Sequence, residues 1–129
     1  MNRRILVVED QEDNRRILCD LLKSVDCEVI EALTGEEGVA LAESHRPALI
    51  LMDLRLPVLD GYEATRRIKA NPALSRIPII AVSSYALSGD DVEALEAGCD
   101  AYISKPFSPR ELLAKIREYL PWVGVGGIS

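Results

Sequence analysis

Cysteine is scarce and odd in number: the 129-residue chain has three, Cys19, Cys27 and Cys99, with no CxxC spacing. Neither a disulfide framework nor a zinc site is expected, and three scattered thiols suit a reducing cytoplasm. No apolar run approaches the ~20 residues of a membrane span, and the opening Met-Asn-Arg-Arg leads into a strand rather than a secretory leader. Positive charge is in deficit, with 15 Lys and Arg against 21 Asp and Glu for a net charge of −6. That balance argues against a nucleic-acid partner, which would select a basic face. An internal repeat is missing, and so is the composition of disorder, since 48% hydrophobic and 28% charged residues are ordinary for a folded domain. One domain over residues 1–120, able to bury a core without staples, followed by a short tail over 121–129, is the expected organisation.

What is present centres on residues 48–53, Ala-Leu-Ile-Leu-Met-Asp. Apolar side chains on both faces predict a strand covered on both sides, as in a parallel sheet flanked by helices. Asp53 then stands at the carboxyl edge of that strand, where open α/β folds bind ligands. Leu56-Pro57 breaks the chain, and Asp60-Gly61-Tyr62-Glu63 has the form of a capping box opening the next helix.

The rest alternates strand and helix. Strands are predicted over 4–8, 28–32, 78–83 and 101–104 besides 48–53. Helices are predicted over 12–24, 34–44, 61–70, 90–97 and 108–119. In the first helix Ile17, Leu18, Leu21, Leu22 and Val25 recur at helical spacing. Asn71-Pro72 ends the third helix and Gly98 caps the fourth. Ser108-Pro109-Arg110-Glu111 supplies a capping serine, a first-turn proline and an acid at the third position. Five β-then-α units imply an α/β fold with a doubly wound parallel sheet and helices on both faces.

In a parallel sheet all carboxyl ends lie on one edge. That edge receives Glu9-Asp10, Asp53, Ser83-Ser84 and Ser104-Lys105. Each acid alone could be a helix cap, and the lysine alone could simply be solvated. Four coincident strand ends make that reading poor. Three carboxylates together need a cation, and oxygen-only donors in this number suit Mg²⁺. A carboxylate can attack a phosphoryl group to give an aspartyl phosphate, while a cation, an ammonium and a hydroxyl offset the phosphoryl charge. Glu9 and Asp10, being adjacent, are best used as metal ligands, which leaves Asp53 as the phosphoacceptor.

The segments ILVVEDQEDN, LILMDLRLPVLDGYEATRRIK, IPIIAVSS and GCDAYISKPFSPREL resemble the response-regulator receiver domain of bacterial two-component signalling over nearly the whole chain. This resemblance implies a flavodoxin-like sheet of order 2-1-3-4-5 with five helices. It implies Mg²⁺ held by Glu9, Asp10, Asp53 and the backbone carbonyl of Arg55. Lys105 and Ser83 would contact the phosphoryl oxygens, with Lys105 facing them rather than a structural acid and Lys105-Pro106 cis. Ser83, rather than its neighbour Ser84, takes the hydroxyl position, and Tyr102 takes the aromatic switch position. Arg55 and Tyr85 occupy the variable places beside the site. The implied donor is a histidine kinase or histidine phosphotransfer protein.

Two rival readings share some of these residues. Haloacid-dehalogenase-type phosphatases also use a strand-end Asp, Ser or Thr, Lys and Mg²⁺, but they need a second Asp where this chain has Arg55. A phosphorylation-independent adaptor on the same fold is the alternative. With no output domain after the last helix, the chain resembles a stand-alone receiver of the kind that controls bacterial cell division and polarity. The resemblance implies that it acts by binding and is not a turnover enzyme. Its expected target face is formed by the fourth helix, fifth strand and fifth helix, reached by an inward pull of the 84–89 loop and of Tyr102; weak self-association is a further expectation. In the tail, Trp122, Val123, Val125 and Ile128 either fold back or make a partner or self-contact, and the contact is expected.

Overall fold

The computed structural model describes residues 2–83 and 90–123. The elements are β1 (Arg4–Val8), α1 (Glu12–Ser24), β2 (Glu28–Ala32), α2 (Gly35–His45), β3 (Leu49–Asp53), α3 (Gly61–Ala70), β4 (Ile79–Ser83), α4 (Asp90–Ala97), β5 (Ala101–Ser104) and α5 (Pro109–Arg117). The five strands form one sheet, every pair parallel, in the order β2-β1-β3-β4-β5. All five residues of β3 and of β4 are buried, as the unbroken apolar runs require.

Alternation along the strands divides the interior in two. Leu6, Val8, Ile50, Met52 and Ala81 face α2, α3 and α4, joining Ala42, Ala64, Ile68 and Ala94. Ile5, Val7, Leu51, Ile80 and Val82 face the other way, against Leu18, Leu22, Leu112 and Ile116 of α1 and α5. The edge strand β2 exposes Glu28 and Glu31, charges that discourage pairing with another chain.

Helix starts follow the capping residues. Thr34 Oγ1 accepts the Glu37 N–H at 3.0 Å, Asp60 Oδ1 the Glu63 N–H at 2.9 Å, and Ser108 Oγ the Glu111 N–H at 3.1 Å. Gly98 closes α4 with φ +114. Two details depart from expectation. Helix α5 ends at Arg117, two residues early, because the chain turns there: the Tyr119 and Leu120 N–H groups both donate to Ile116 O. Ile17 is 62% exposed although it keeps helical spacing, because the inward stripe is centred on Leu18 and Leu22.

The tail also needs correction. Val123 is fully buried in the α1–α5 core, and Trp122 packs against the same core with Arg3 over its ring, 4.6 Å from the centroid. Arg117 Nε donates to Val123 O at 2.8 Å. These residues fold back rather than project, since a valine and an indole find apolar cover beside α5. Val125 and Ile128 lie outside the described residues. Among the described residues no helix is long and apolar enough to cross a membrane. The three cysteines are free and buried.

Candidate functional site

The register sets the geometry. Asp53 is paired with Val82 across β3 and β4, and Ser83 with Ser104 across β4 and β5, so each polar group leaves the sheet at nearly the same level. Glu9 and Asp10 leave β1 beside them. Carboxylate oxygens of Glu9, Asp10 and Asp53 all lie within 4.8 Å of one another. Glu9 and Asp53 are buried, at 1% and 6% exposure, and Asp10 is half-buried. Charges this close repel unless a proton or a cation intervenes. Burial, and then the hydrogen bond to Asp53, raise the Glu9 carboxyl above its usual range, against a lowering pull from Lys105. An all-oxygen cluster in which one acid resists ionisation fits a hard divalent cation.

Each acid is anchored. Glu9 Oε2 accepts the Gln11 N–H at 3.1 Å, and its own N–H donates to Ala32 O at 3.0 Å. Asp53 Oδ1 accepts the Arg55 N–H at 3.0 Å, which curls the chain into the turn carrying the Arg55 carbonyl and leaves Oδ2 as the oxygen not committed to that turn. Behind Asp53, α3 begins almost in contact: a Cβ on Gly61 would stand 2.2 Å from Asp53 O.

Lys105 Nζ is 2.9 Å from Glu9 Oε1, so its partner in this structure is a carboxylate of the cluster. The ammonium thus converges with the carboxylates as the strand ends predict, and Glu9 is the buried anion within its reach. The Lys105 N–H donates to Ser83 O at 2.7 Å, clipping the ends of β4 and β5 together, and the Lys105–Pro106 bond is cis. Ser83 is fully buried. Tyr102, in register with Ala81, is half-buried against the α2–α4 core with its hydroxyl oxygen shielded from solvent. Ser84, Tyr85 and the 84–89 loop lie outside the described residues. Every described site residue predicted from the sequence thus reaches the same edge, except Tyr102, which sits farther back on β5.

One feature was not anticipated. Beside Lys105 opens a groove of about 510 Å³ lined by Asn14, Ile17, Leu18, Pro106 and Phe107. The signal for it was Ile17, an isoleucine adjacent to a helix stripe that was already complete.

Residues 5–117 match the family model of the response regulator receiver domain. The polar-differentiation response regulator DivK of Brucella anthropi is 41% identical over 120 residues, covering 93% of this chain and 98% of that one. Among solved structures, the receiver domain of sensor histidine kinase PA1611 from Pseudomonas aeruginosa PAO1, with a magnesium ion coordinated in its active site cleft, is 40% identical with a TM-score of 0.88, covering 94% and 99% of the two chains. The co-crystal structure of the Saccharomyces cerevisiae histidine phosphotransfer protein Ypd1 with the receiver domain of Ssk1 matches at 30% identity and TM-score 0.82, covering 92% and 88%.

Proposed function

This chain belongs to the response regulator receiver domain family, and from that premise we propose that Asp53 takes a phosphoryl group from a phosphohistidine and that the product changes what the domain binds. The observation that carries the reading is the convergence of three carboxylates within 4.8 Å, with an ammonium 2.9 Å from one of them.

Asp53 Oδ2 forms the new P–O bond as the donor's P–N bond breaks. The electron pair leaves on the imidazole nitrogen, which takes a proton from solvent. Lys105 moves its ammonium from Glu9 to a phosphoryl oxygen, and the Ser83 hydroxyl donates to another. Glu9, Asp10 and Asp53, with the Arg55 carbonyl, would hold Mg²⁺, whose charge would offset the repulsion of the incoming dianion. The protein is a signalling receiver, not a turnover enzyme, and works in the cytoplasm without nucleic acid or membrane.

A phosphoryl group adds about −1.5 to −2 charges to the edge. Ser83 turning toward it would draw the 84–89 loop inward and move Tyr102 deeper. That changes the face of α4, β5 and α5, where Val92 and Leu95 are each 54% exposed. A downstream protein reads that face, provided the two states lie within a few kcal/mol of each other.

Incubation with a small phosphodonor and Mg²⁺ should add one phosphoryl mass, which Asp53→Asn abolishes. An Asn variant labelled as fast as the wild type would sink the assignment. NMR shifts confined to the neighbours of Asp53 on phosphorylation, with α4 and α5 silent, would sink the proposed switch.

A further inference from the structure

Three non-glycine residues among those described have positive φ: Asp26 at 62°, Arg46 at 46° and Val58 at 63°. Two are accounted for locally. Asp26 sits in the turn between α1 and β2, where a short polar side chain tolerates this conformation, and Arg46 is the left-handed C-cap of α2. Val58 has neither excuse. A β-branched side chain is the worst suited to the left-handed region, where glycine or asparagine costs far less. Nor does burial compensate, because Val58 is 101% exposed.

The loop that displays it is held firmly at both ends. Arg55 N–H is bonded to Asp53 Oδ1, and Gly61 N–H donates to Leu54 O at 3.2 Å. Leu56 and Leu59, on either side of Pro57-Val58, are both buried. A Cβ on Gly35 would stand 2.2 Å from Leu59 O, so the α2 start closes against this loop as well. A groove of about 160 Å³ lined by Thr34, Glu36, Pro57, Val58 and Leu59 runs along its foot. Leu33, just before the α2 cap, is 45% exposed. Strain persists only where surroundings over-determine it, and such sites gather at functional positions.

We propose that Val58 is a docking and specificity residue for the protein that delivers the phosphoryl group. The proposal rests on Asp53 being the phosphoacceptor. Its occupant follows from position: Val58 tops a loop whose two ends are bonded to Asp53 and Leu54. A protein whose phosphohistidine reaches Asp53 brings its surface to the edge from which that loop rises, and an exposed valine offers it an apolar contact beside a ready groove. A small-molecule phosphodonor has no need to touch it.

Two substitutions test this. Val58→Gly and Val58→Asn both suit the left-handed backbone, and Asn keeps the loop stiff. Each is phosphorylated with acetyl phosphate and Mg²⁺, and separately by histidine kinases and phosphotransfer proteins of the source organism, labelled with ATP and compared at equal concentration. The fastest donor to the wild type is the probe. Both variants should accept phosphoryl from acetyl phosphate at the wild-type rate, take it at least tenfold more slowly from the protein donor, and melt about 3 °C higher as the strain is relieved. Unchanged transfer from the protein donor overturns the proposal. So does an equal loss with both donors, which would make Val58 part of the chemistry. Lower melting temperatures in both variants would also overturn it, because the strain argument would fail. A wild-type chain that takes label from no protein donor, or none at Asp53, defeats the underlying reading instead.

Discussion

Single side chains were legible in the sequence as chemistry but not as pairs. Glu9, Asp10, Asp53, Ser83 and Lys105 could be placed at one edge because a parallel sheet brings every strand end there. That Lys105 rests on Glu9 was not readable, since two residues 96 positions apart meet through the order of strands rather than any local pattern. Val58 was invisible for a different reason: nothing in Leu-Pro-Val-Leu-Asp announces a positive φ. The thiols give a prediction at this scale. Burial, and then Glu31, push Cys19 from 9.0 to about 11, and burial likewise raises Cys27 and Cys99. Between those values the unfolded chain releases the thiol proton while the folded chain retains it, so folding binds a proton and stability falls as pH rises. Melting temperature, followed in reductant, should decline between pH 9 and pH 11. Cys19→Ala should make the decline shallower. A flat profile across that interval would contradict the burial of these groups.

Elements were read more faithfully than partners. Capping boxes, Asn71-Pro72 and Gly98 are local signals, and β1, α1, β2, α3, α4 and β5 have the bounds those signals predict. Where the signal was tertiary, the reading slipped, as at the end of α5 and at Ile17. The start of α3 shows how tightly one element can set another. Gly61 has an ordinary φ, so its role is space: an added Cβ would stand 2.2 Å from Asp53 O and 2.7 Å from Leu54 Cα. Backbone cannot yield as a flexible side chain can. Gly61→Ala should therefore cost about 2 kcal/mol or more by urea unfolding. It should also slow labelling of Asp53 by a small phosphodonor, because either α3 or the end of β3 must move. Wild-type stability and labelling in that variant would mean the contact is easily relieved.

For the whole molecule, the fold class, the strand order and the shared edge followed from five β-then-α units together with the family resemblance. The return of the tail did not, since apolar residues among glycines look alike whether they dock or protrude. Ending the chain at Leu120 removes a fully buried valine, worth about 1.5–3 kcal/mol, and the Arg3–Trp122 contact. The truncated protein should melt roughly 5–10 °C lower. No change would put the segment back outside the core.

The same docked segment gives the protein a built-in lamp. Trp122 is the only tryptophan, and it lies against Arg3, at the start of β1, whereas Glu9 and Asp10 follow the strand's far end. Five strand residues, roughly 16 Å, separate the two ends. Its emission is therefore tuned by the guanidinium above it and by the closure of the chain end. Red-shifted light from this indole would mean that the segment has come away from the core.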